Sequence, residues 1–316
     1  MSKPLNNFKY SDTNKHYYTY DYYLKQRYGE KVAKISLDAG FTCPNRDGSL
    51  SNLGCYFCSA KGSGDFAGNV MQSLLEQFEH GKKIMKHKWH VNKFIPYFQA
   101  YTNTYDDLSQ LKQRYELFIN QEDVVGIAIA TRPDCLNEEI IDYLVELNKK
   151  KDIYLELGLQ TFNDEIASSF NRCYPTSTFY QIMALLDNTD LKVCIHLIDG
   201  LPLESKESML NNIKLLNNFN IHAIKIHMLN IITTSKWGKE YLNNNFKLLT
   251  RDEYVDLVVE QLRLLKEDIV VERLTGDAKK EDLLAPLWTL KKVDVLNHID
   301  MLMAKNNYFQ GDKYEK

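Results

Sequence analysis

Short apolar runs alternate with segments of helical periodicity along most of the chain. Six runs have the length and composition of β-strands: Val32–Asp38, Phe94–Phe98, Val124–Ala130, Ile153–Leu159, Leu191–Ile198 and Ala223–Leu229. The segments between them that repeat with a helical period are Leu108–Asn120, Asn137–Lys149, Phe179–Asp187 and Lys206–Asn217. Strands that alternate with helices form βαβ units, with parallel strands and right-handed crossovers. Because six strands are fewer than the eight of a closed barrel, the pattern predicts an α/β fold with an open (β/α)6 partial TIM barrel.

The two ends of the chain depart from this pattern. Residues 1–30 are rich in Tyr and predict a helical segment packed on the barrel. After residue 233, an amphipathic helix over 250–267, an apolar run over 269–277 and a helical stretch over 291–306 predict an α/β extension. We therefore expect an N-terminal segment (1–30), a core barrel (31–232) and a C-terminal extension (233–316) that covers the substrate side.

The composition is that of an ordinary globular protein. Of 316 residues, 44% are hydrophobic and 26% are charged, and the formal net charge is −3. This balance excludes nucleic-acid binding driven by net charge, although a local basic patch remains open. The chain has no long uninterrupted apolar run and no hydrophobic signal core near its start, so we expect no membrane span, no secretion and a cytoplasmic location.

Polar and glycine-containing segments follow the predicted strands. A cysteine-containing loop follows the first strand, residues 99–103 the second, residues 131–134 the third, Gln160 the fourth and residues 199–202 the fifth. In α/β barrels the chemistry takes place at the carboxyl ends of the strands. This end of the barrel is therefore the expected functional end.

Three of the six cysteines are close together in the first of these loops. Eleven residues separate Cys43 from Cys55, and two separate Cys55 from Cys58. Four thiolates would complete a zinc site or an iron–sulfur cluster, whereas three leave one iron of a [4Fe–4S] cluster open to an external ligand. The spacing alone leaves two alternatives, a redox or structural pair and a zinc site completed by Cys135, His196 or His227.

The residues around these cysteines resemble a known family. Segments 38–48, 54–58 and 62–68 resemble the radical S-adenosylmethionine enzymes, and within them the YtqA/YhcC family, which is related to the catalytic subunit of Elongator. The likeness covers about residues 15–312 and includes segments 130–136, 156–161, 171–172, 196–202, 225–227 and 273–277. Relatives usually follow the Asn-Arg pair with Gly-His, whereas here Cys173 and Tyr174 follow.

The resemblance implies the cofactors and the residues that bind them. Cys43, Cys55 and Cys58 would hold a [4Fe–4S] cluster whose open iron binds S-adenosylmethionine, which is then cleaved to a 5′-deoxyadenosyl radical. Gln160 and Arg172 would contact S-adenosylmethionine, since an arginine fork suits a carboxylate. Further cofactor candidates are Glu156, Phe57, Thr102, Asn103 and Gly200. For Glu156, a ribose contact and an ion pair with a neighbouring barrel cation both remain open.

Candidates for proton transfer lie on the predicted inner strands and in the extension. His196 and His227 could act as acid or base toward the substrate, because imidazole titrates near neutrality, or could be ordinary core histidines. Asp277, with Arg273 and Trp288, is a candidate for a substrate lid.

The relation to Elongator points to the wobble uridine of tRNA as substrate, and specifically to conversion of 5-carboxymethylaminomethyluridine to 5-aminomethyluridine. A basic segment could hold phosphates, with an aromatic ring for stacking, or could be a solvated helix face. Its RNA-binding candidates are Lys82, Lys83, Lys86, Lys88, Trp89 and Lys93. The resemblance also implies a low-potential electron donor such as flavodoxin or ferredoxin. The alternatives are a radical enzyme acting on a protein or a small metabolite, and a non-catalytic zinc-binding protein.

Overall fold

A computed structural model describes residues 7–243 and 247–315. Its strands are β1 (Val32–Leu37), β2 (Lys93–Phe98), β3 (Gly126–Thr131), β4 (Asp152–Gln160), β5 (Lys192–Asp199), β6 (Ala223–Met228), β7 (Ile231–Ile232), β8 (Val270–Arg273) and β9 (Leu283–Ala285). Its helices are α1 (Tyr20–Tyr28), α2 (Leu74–Trp89), α3 (Leu108–Ile119), α4 (Glu138–Asn148), α5 (Asp164–Ser169), α6 (Thr176–Leu186), α7 (Lys206–Leu216), α8 (Lys236–Tyr241), α9 (Arg251–Leu264) and α10 (Lys292–Asn306).

The main sheet has seven parallel strands in the order β1-β2-β3-β4-β5-β6-β8. The predicted α/β partial barrel is therefore confirmed, and all six predicted strands are present. The seventh, β8, comes from the region predicted as an extension and pairs with β6. Simple alternation missed it because β7, α8 and α9 intervene between the two partners. No helix in the described ranges is long and apolar enough to cross a membrane.

Local sequence signals account for where the helices begin. Asn137 caps α4, as expected, because its side chain accepts a hydrogen bond from the backbone N–H of Ile140 at 2.9 Å. Ser73 and Thr250 begin α2 and α9 with capping boxes, in which a glutamate three residues later bonds back to the cap.

The two faces of the barrel wall have different partners. Apolar side chains on the outer face, such as Ile127 and Ile129, pack into the main core beneath the surrounding helices. Inward-facing residues near the amino ends of the strands, including Ala128 and Tyr154, pack with the tyrosines of α1. The N-terminal helix therefore fills the lumen at the amino ends of the strands.

Candidate active site

A cavity of about 520 Å³ lies in the lumen and reaches the carboxyl ends of the strands. It is lined by residues from the cysteine loop, from the inner face of the sheet and from the segment after β8. The cavity brings together these predicted site residues: Cys43, Cys55, Phe57, Cys58, Thr102, Glu156, Gln160, His196, His227 and Asp277. The structure thus joins residues that are more than 200 positions apart in the chain.

Hydrogen bonds to the loop between β1 and α2 position the cysteines. Gly54 has φ +68°, in the left-handed region that favours glycine, and its N–H donates to the Asn45 carbonyl at 2.6 Å. The buried Asn45 side chain donates to the carbonyls of Asn171 and Arg172 at 2.6 and 3.2 Å. The segment after α5 therefore holds the cysteine loop in position through these hydrogen bonds.

The surroundings of the loop shift the pKa values of its Cys55 and Cys58 thiols in opposite directions. A hydrogen bond from Cys55 and the positive charge of Arg46, working against burial, lower the pKa of Cys58 to about 7. The same hydrogen bond and burial raise the pKa of Cys55 well above its usual value. Arg132 lowers the pKa of both thiols. Of the two thiols, Cys58 therefore loses its proton more readily than Cys55. The guanidinium groups of Arg46 and Arg132 are close enough to offset the negative charge of a thiolate.

Three thiols around one cavity with nearby cations fit the donor set of a [4Fe–4S] cluster with one open iron. Within the described ranges, no three His, Cys, Asp or Glu side chains surround the position of a single metal ion, which is a different arrangement from three thiols spread around a cavity. The ring of Phe57, between the two nearer cysteines, packs edge-to-face on Phe170 with ring centroids 5.3 Å apart. That contact fixes the apolar wall beside the thiols.

Arg172 is placed differently from the prediction. Its side chain is 1% exposed and does not line the cavity. The guanidinium donates to the carbonyls of Leu159, Thr161 and Tyr174 at 2.7–3.1 Å, and to the side chains of Asp164 and Thr176 at 2.8 Å. Five N–H groups thus have five acceptors, which leaves no donor for a cofactor carboxylate. The arginine instead ties the end of β4 to the segment that supports the cysteines.

Gln160 lies at a break in the pairing of β4 with β5, where one extra residue sits between Gly158 and Gln160. Its φ of +67° is uncommon for a residue other than glycine, and such conformations are concentrated at functional sites. A Cβ added to Gly158 would be 2.6 Å from Gln160 Nε2, so the glutamine amide folds back over the glycine. Gly158 and Gln160 both line the cavity, so this amide lies at its wall.

The other cofactor candidates divide into two groups. Thr102 lines the cavity, and its N–H donates to the Thr42 carbonyl at 3.2 Å, joining the end of β2 to the cysteine loop. Asn103 and Gly200 do not line it. The Asn103 side chain donates to the Ala130 carbonyl at 2.8 Å, and Gly200 packs against the side chain of Leu249. These two positions support the strand ends from behind the cavity.

Five charged or titratable side chains form a network on the lumen wall, here called the lumen cluster: Lys34, Glu156, His196, Lys225 and Glu272. Lys34 Nζ lies 2.6 Å from Glu156 Oε1 and 2.7 Å from Glu272 Oε2. Lys225 bonds Glu156 and lies 3.5 Å from Glu272. Of the two interpretations of Glu156, the ion pair is therefore the one present.

The charges of this cluster follow from its burial and pairing. Burial raises the pKa of Glu156, but Lys225 and Lys34 outweigh it and hold that pKa well below the usual value. Burial and the charge of Lys225 lower the pKa of His196, which lies 2.9 Å from Glu156. Burial, aided by His196, lowers the pKa of His227 well below its usual value. For both histidines, the surroundings therefore favour the neutral imidazole.

Sequence reasoning missed Lys34, Lys225, Glu272 and Arg132 as cavity residues. A signal was available for the first two, because each is a lone charge on an otherwise apolar strand, at a position that alternation turns inward. At the cavity rim, Asp277 pairs with both Arg273 and Lys292. Trp288, a lid candidate, does not line the cavity, and its indole N–H donates to the Leu249 carbonyl at 2.9 Å.

The six RNA-binding candidates lie away from the cavity. Lys82 is buried and pairs with Asp123 at 2.8 Å, and Lys93 donates to the Tyr28 carbonyl at 2.8 Å. The Trp89 ring is 4.7 Å from the ammonium of Lys31, immediately before β1. These contacts place the end of α2 beside the amino ends of the strands, opposite the cysteines. Lys83, Lys86 and Lys88 are exposed there, and their binding of RNA stays a prediction.

The Cys173-Tyr174 pair has a defined position. Cys173 is exposed with φ +65°, and Tyr174 lines the cavity. The Tyr174 hydroxyl donates to the Gly158 carbonyl at 2.5 Å, and its ring lies 4.5 Å from the Arg172 guanidinium. A tyrosine thus stands at the cavity wall, at the position where the resemblance led us to expect histidine.

Comparison with known proteins agrees with this geometry. The model of the radical SAM superfamily matches residues 50–216, and the model of the radical SAM C-terminal domain matches residues 221–305. YtqA of Bacillus subtilis is 40% identical over 311 residues, which are 98% of this chain and 97% of YtqA. A tRNA uridine(34) acetyltransferase of Methanocaldococcus jannaschii is 24% identical over 156 residues, 48% of this chain and 28% of that protein.

A solved structure of the archaeal Elp3 of Methanocaldococcus infernus, with an N-terminal deletion, has the same fold. The TM-score is 0.66 at 16% identity, over 88% of this chain and 63% of that one. The resemblance to YtqA and to Elongator proteins is confirmed. With its cysteine loop at the carboxyl end of a parallel half-barrel, the chain belongs to the radical S-adenosylmethionine superfamily, in the group that contains YtqA, and its cofactors are a [4Fe–4S] cluster and S-adenosylmethionine.

Proposed function

We propose that this protein is a radical S-adenosylmethionine enzyme that modifies the wobble uridine of tRNA, converting 5-carboxymethylaminomethyluridine to 5-aminomethyluridine. The observation that carries the proposal is one continuous cavity that joins the three cysteines to a wall of charged side chains. When bound, the cluster and S-adenosylmethionine supply one-electron cleavage to methionine and a 5′-deoxyadenosyl radical.

The residues in and beside the cavity have different roles. Cys43, Cys55 and Cys58 hold the cluster, and the guanidinium groups of Arg46 and Arg132 stabilise the thiolates. Gln160 contacts S-adenosylmethionine through the amide that lies at the cavity wall. The segment held by Arg172 keeps the loop in place. The apolar ring of Phe57 keeps water away from the reacting centre.

The nature of the substrate is supported by the similarity to a tRNA uridine(34) acetyltransferase and by the polar lumen. When bound, the two cofactors would supply a 5′-deoxyadenosyl radical that takes one hydrogen atom from the methylene beside the amine, and an oxidised [4Fe–4S] cluster that takes one electron. Addition of water to the resulting imine would split the C–N bond. The products are the aminomethyl group and a two-carbon oxoacid. His227 lines the cavity, and its Nε2 has no hydrogen-bond partner among the described residues, so it can form a hydrogen bond that orients the attacking water.

The test is an anaerobic assay of the reconstituted protein. Iron, sulfide, dithionite and S-adenosylmethionine are supplied, and 5′-deoxyadenosine is measured with and without tRNA from a strain that lacks the gene. We expect 5′-deoxyadenosine to rise with tRNA, and 5-carboxymethylaminomethyluridine to be replaced by 5-aminomethyluridine in the same RNA. Formation of 5′-deoxyadenosine with no change in the RNA would remove the tRNA proposal and favour a protein or metabolite substrate.

Matched cysteine variants separate the cluster from general effects on folding. Cys58→Ala should lose the iron–sulfur absorbance near 400 nm and all 5′-deoxyadenosine. Cys135→Ser is the control, because Cys135 does not line the cavity and should keep both. Zinc in place of iron on the three cysteines of an active preparation would contradict the proposal.

A further inference from the structure

Four cavity-lining residues carry a buried polar atom that has no hydrogen-bond partner among the described residues. The atoms are Tyr20 Oη, Glu272 Oε1, His227 Nε2 and Asn230 Oδ1. Leaving a buried polar atom unpaired costs about 1–3 kcal/mol, so such atoms are rare where nothing binds. Glu272 stands out because its side chain is only 2% exposed and it is ionisable.

A bulge in the backbone of β8 places this carboxylate in the wall of the cavity. Lys225 of β6 pairs with Arg273, while the preceding pair is Ile224 with Val271, so Glu272 is the extra residue of a bulge. In a regular strand, consecutive side chains point to opposite faces. The bulge instead lets both Glu272 and Arg273 line the cavity, and bulges re-aim side chains in this way beside active sites.

The two neighbouring side chains offer opposite charges with spare capacity. Glu272 Oε2 is held by Lys34 at 2.7 Å, which leaves Oε1 as a free anionic acceptor. Arg273 shares Asp277 with Lys292, so one carboxylate balances two cations and this trio has a net positive charge. The only hydrogen bond that Arg273 donates within the described ranges goes to Asp277, and the rest of its N–H fork is available.

We propose that Glu272 and Arg273 form a subsite for a zwitterionic group, in which Glu272 Oε1 accepts a hydrogen bond from a protonated amine and Arg273 binds a carboxylate beside it. This inference rests on the proposed function and deepens it, because a secondary amine followed by a methylene and a carboxylate is the group that would be cleaved. Neutral His227 lines the same wall and can donate or accept one further bond.

The subsite also explains how substrate and product are distinguished. The aminomethyl product keeps the amine and loses the carboxylate, and with it the bond to Arg273. A carboxymethyl group without the amine leaves Glu272 Oε1 unpaired beside an added negative charge. A site built for hydrogen-bonding groups discriminates most strongly against analogues that lack one of them.

The experiment measures binding, with the cluster and S-adenosylmethionine present and no reductant, so that no turnover occurs. Anticodon stem-loops carry 5-carboxymethylaminomethyluridine, 5-aminomethyluridine or 5-carboxymethyluridine at the wobble position. We expect the stem-loop with 5-carboxymethylaminomethyluridine to bind about tenfold more tightly than either of the others. A factor of about ten is what one additional charge-assisted hydrogen bond contributes to affinity. Arg273→Gln should abolish the preference over the aminomethyl form, and Glu272→Gln the preference over the carboxymethyl form.

The control variant is Lys280→Gln, which removes an exposed positive charge close to the cavity but outside its lining. It should keep both preferences. Thermal unfolding of each variant checks that the fold is retained, and Arg273→Lys should restore part of the preference lost in Arg273→Gln. Equal affinity of the wild-type protein for all three stem-loops, or equal losses for all three in each variant, would overturn the subsite.

N-methylglycine separates this inference from the proposed function. It carries the same amine, methylene and carboxylate without any nucleoside. If it protects the protein against thermal unfolding in a manner that needs both Glu272 and Arg273, while no stem-loop binds, the subsite stands and the RNA substrate is wrong. If the stem-loops are converted but show no dependence on these two residues, the proposed function stands and the subsite is wrong.

Discussion

Two of the buried charged sites beside the cavity, the one around Arg172 and the lumen cluster, are built in opposite ways. Every N–H of the Arg172 guanidinium has an acceptor, and the side chain is shut away from the cavity. In the lumen cluster the ions are paired, yet Glu272 keeps a free oxygen and all members line the cavity.

The contrast shows why burial and charge alone are a poor guide to function. A buried arginine whose bonds are complete holds backbone segments together, and a ligand could bind it only by displacing those bonds. A buried carboxylate with an unpaired oxygen has a place for a ligand that completes it. The hydrogen-bond count of each group therefore separates the structural site from the candidate binding site.

The strongest test of this contrast is Arg172→Gln. It leaves three buried carbonyls without donors, and we expect a loss of about 4 kcal/mol in the free energy of unfolding. Urea unfolding gives this value from the midpoint, with the slope unchanged. Folded Arg172→Gln protein should still bind S-adenosylmethionine. Wild-type stability combined with lost cofactor binding would show that Arg172 contacts the cofactor after all.

Within the lumen cluster, Glu156→Gln should reveal how far the ions depend on one another. The change removes the carboxylate shared by Lys34, Lys225 and His196, and leaves Glu272 as partner of both lysines. We expect a loss of about 3 kcal/mol, because an uncompensated buried charge is costly. The double variant Glu156→Gln/Lys225→Gln should recover part of it, which a double-mutant cycle of urea midpoints measures.

Exposed Glu139→Gln on α4 is the matched control for that substitution and should change stability by no more than about 0.5 kcal/mol. If the double variant loses more free energy of unfolding than the two single variants lose together, Glu156 does not stabilise the charge of Lys225, and the ion pairing described for the lumen cluster is wrong.

Asp199 is a third case, a buried acid that has no ion-pair partner among the described residues. Burial raises its pKa to about 8, against a hydrogen bond from Gln261 at 2.9 Å. Its folded-state pKa lies above the unfolded value of 3.8, so folding favours the protonated acid, and this stability is lost as the pH rises from about 4 to about 8.

Asp199→Asn removes that penalty. The variant should match the wild-type protein near pH 4 and become more stable by about 2 kcal/mol at pH 8, since one unit of pKa corresponds to about 1.4 kcal/mol and relaxation absorbs part of the shift. Urea unfolding at the two pH values measures the gap. A gap that does not change with pH would mean that Asp199 is ionised in the folded protein.

Much of the barrel could be predicted because its information is local. Each apolar run is buried on both faces, so Phe94–Phe98 and Ala223–Leu229 match β2 and β6 to within one residue at each end. The cysteines share one loop, and their place at the carboxyl end of β1 follows from the parallel topology. Strand β8 was harder to predict, because its partner β6 is more than 40 residues away along the chain.

The lumen cluster could not be predicted as a unit. Lys34, Glu156, Lys225 and Glu272 come from four different strands, and only the curl of the sheet brings them together. The exposure of Glu272 and Arg273 on one face depends on a bulge that no local pattern reveals. The contacts of Arg172 with the end of β4 could not be predicted either, because they depend on how the chain folds back between Leu159 and Arg172.

The smallest expected effect concerns the basic segment of α2, which lies outside both the Arg172 site and the lumen cluster. Lys86 and Lys88 are exposed near the amino ends of the strands, opposite the cavity. Lys86→Gln/Lys88→Gln should therefore change the affinity for an anticodon stem-loop by less than about twofold, because the proposed function has the loop enter at the carboxyl ends of the strands. If these lysines bind phosphates, affinity falls further and the slope of log affinity against log salt decreases by about one per lysine. A salt titration of the variant and the wild-type protein distinguishes the two outcomes, and a reduced slope would extend the RNA-binding surface to the far end of the barrel.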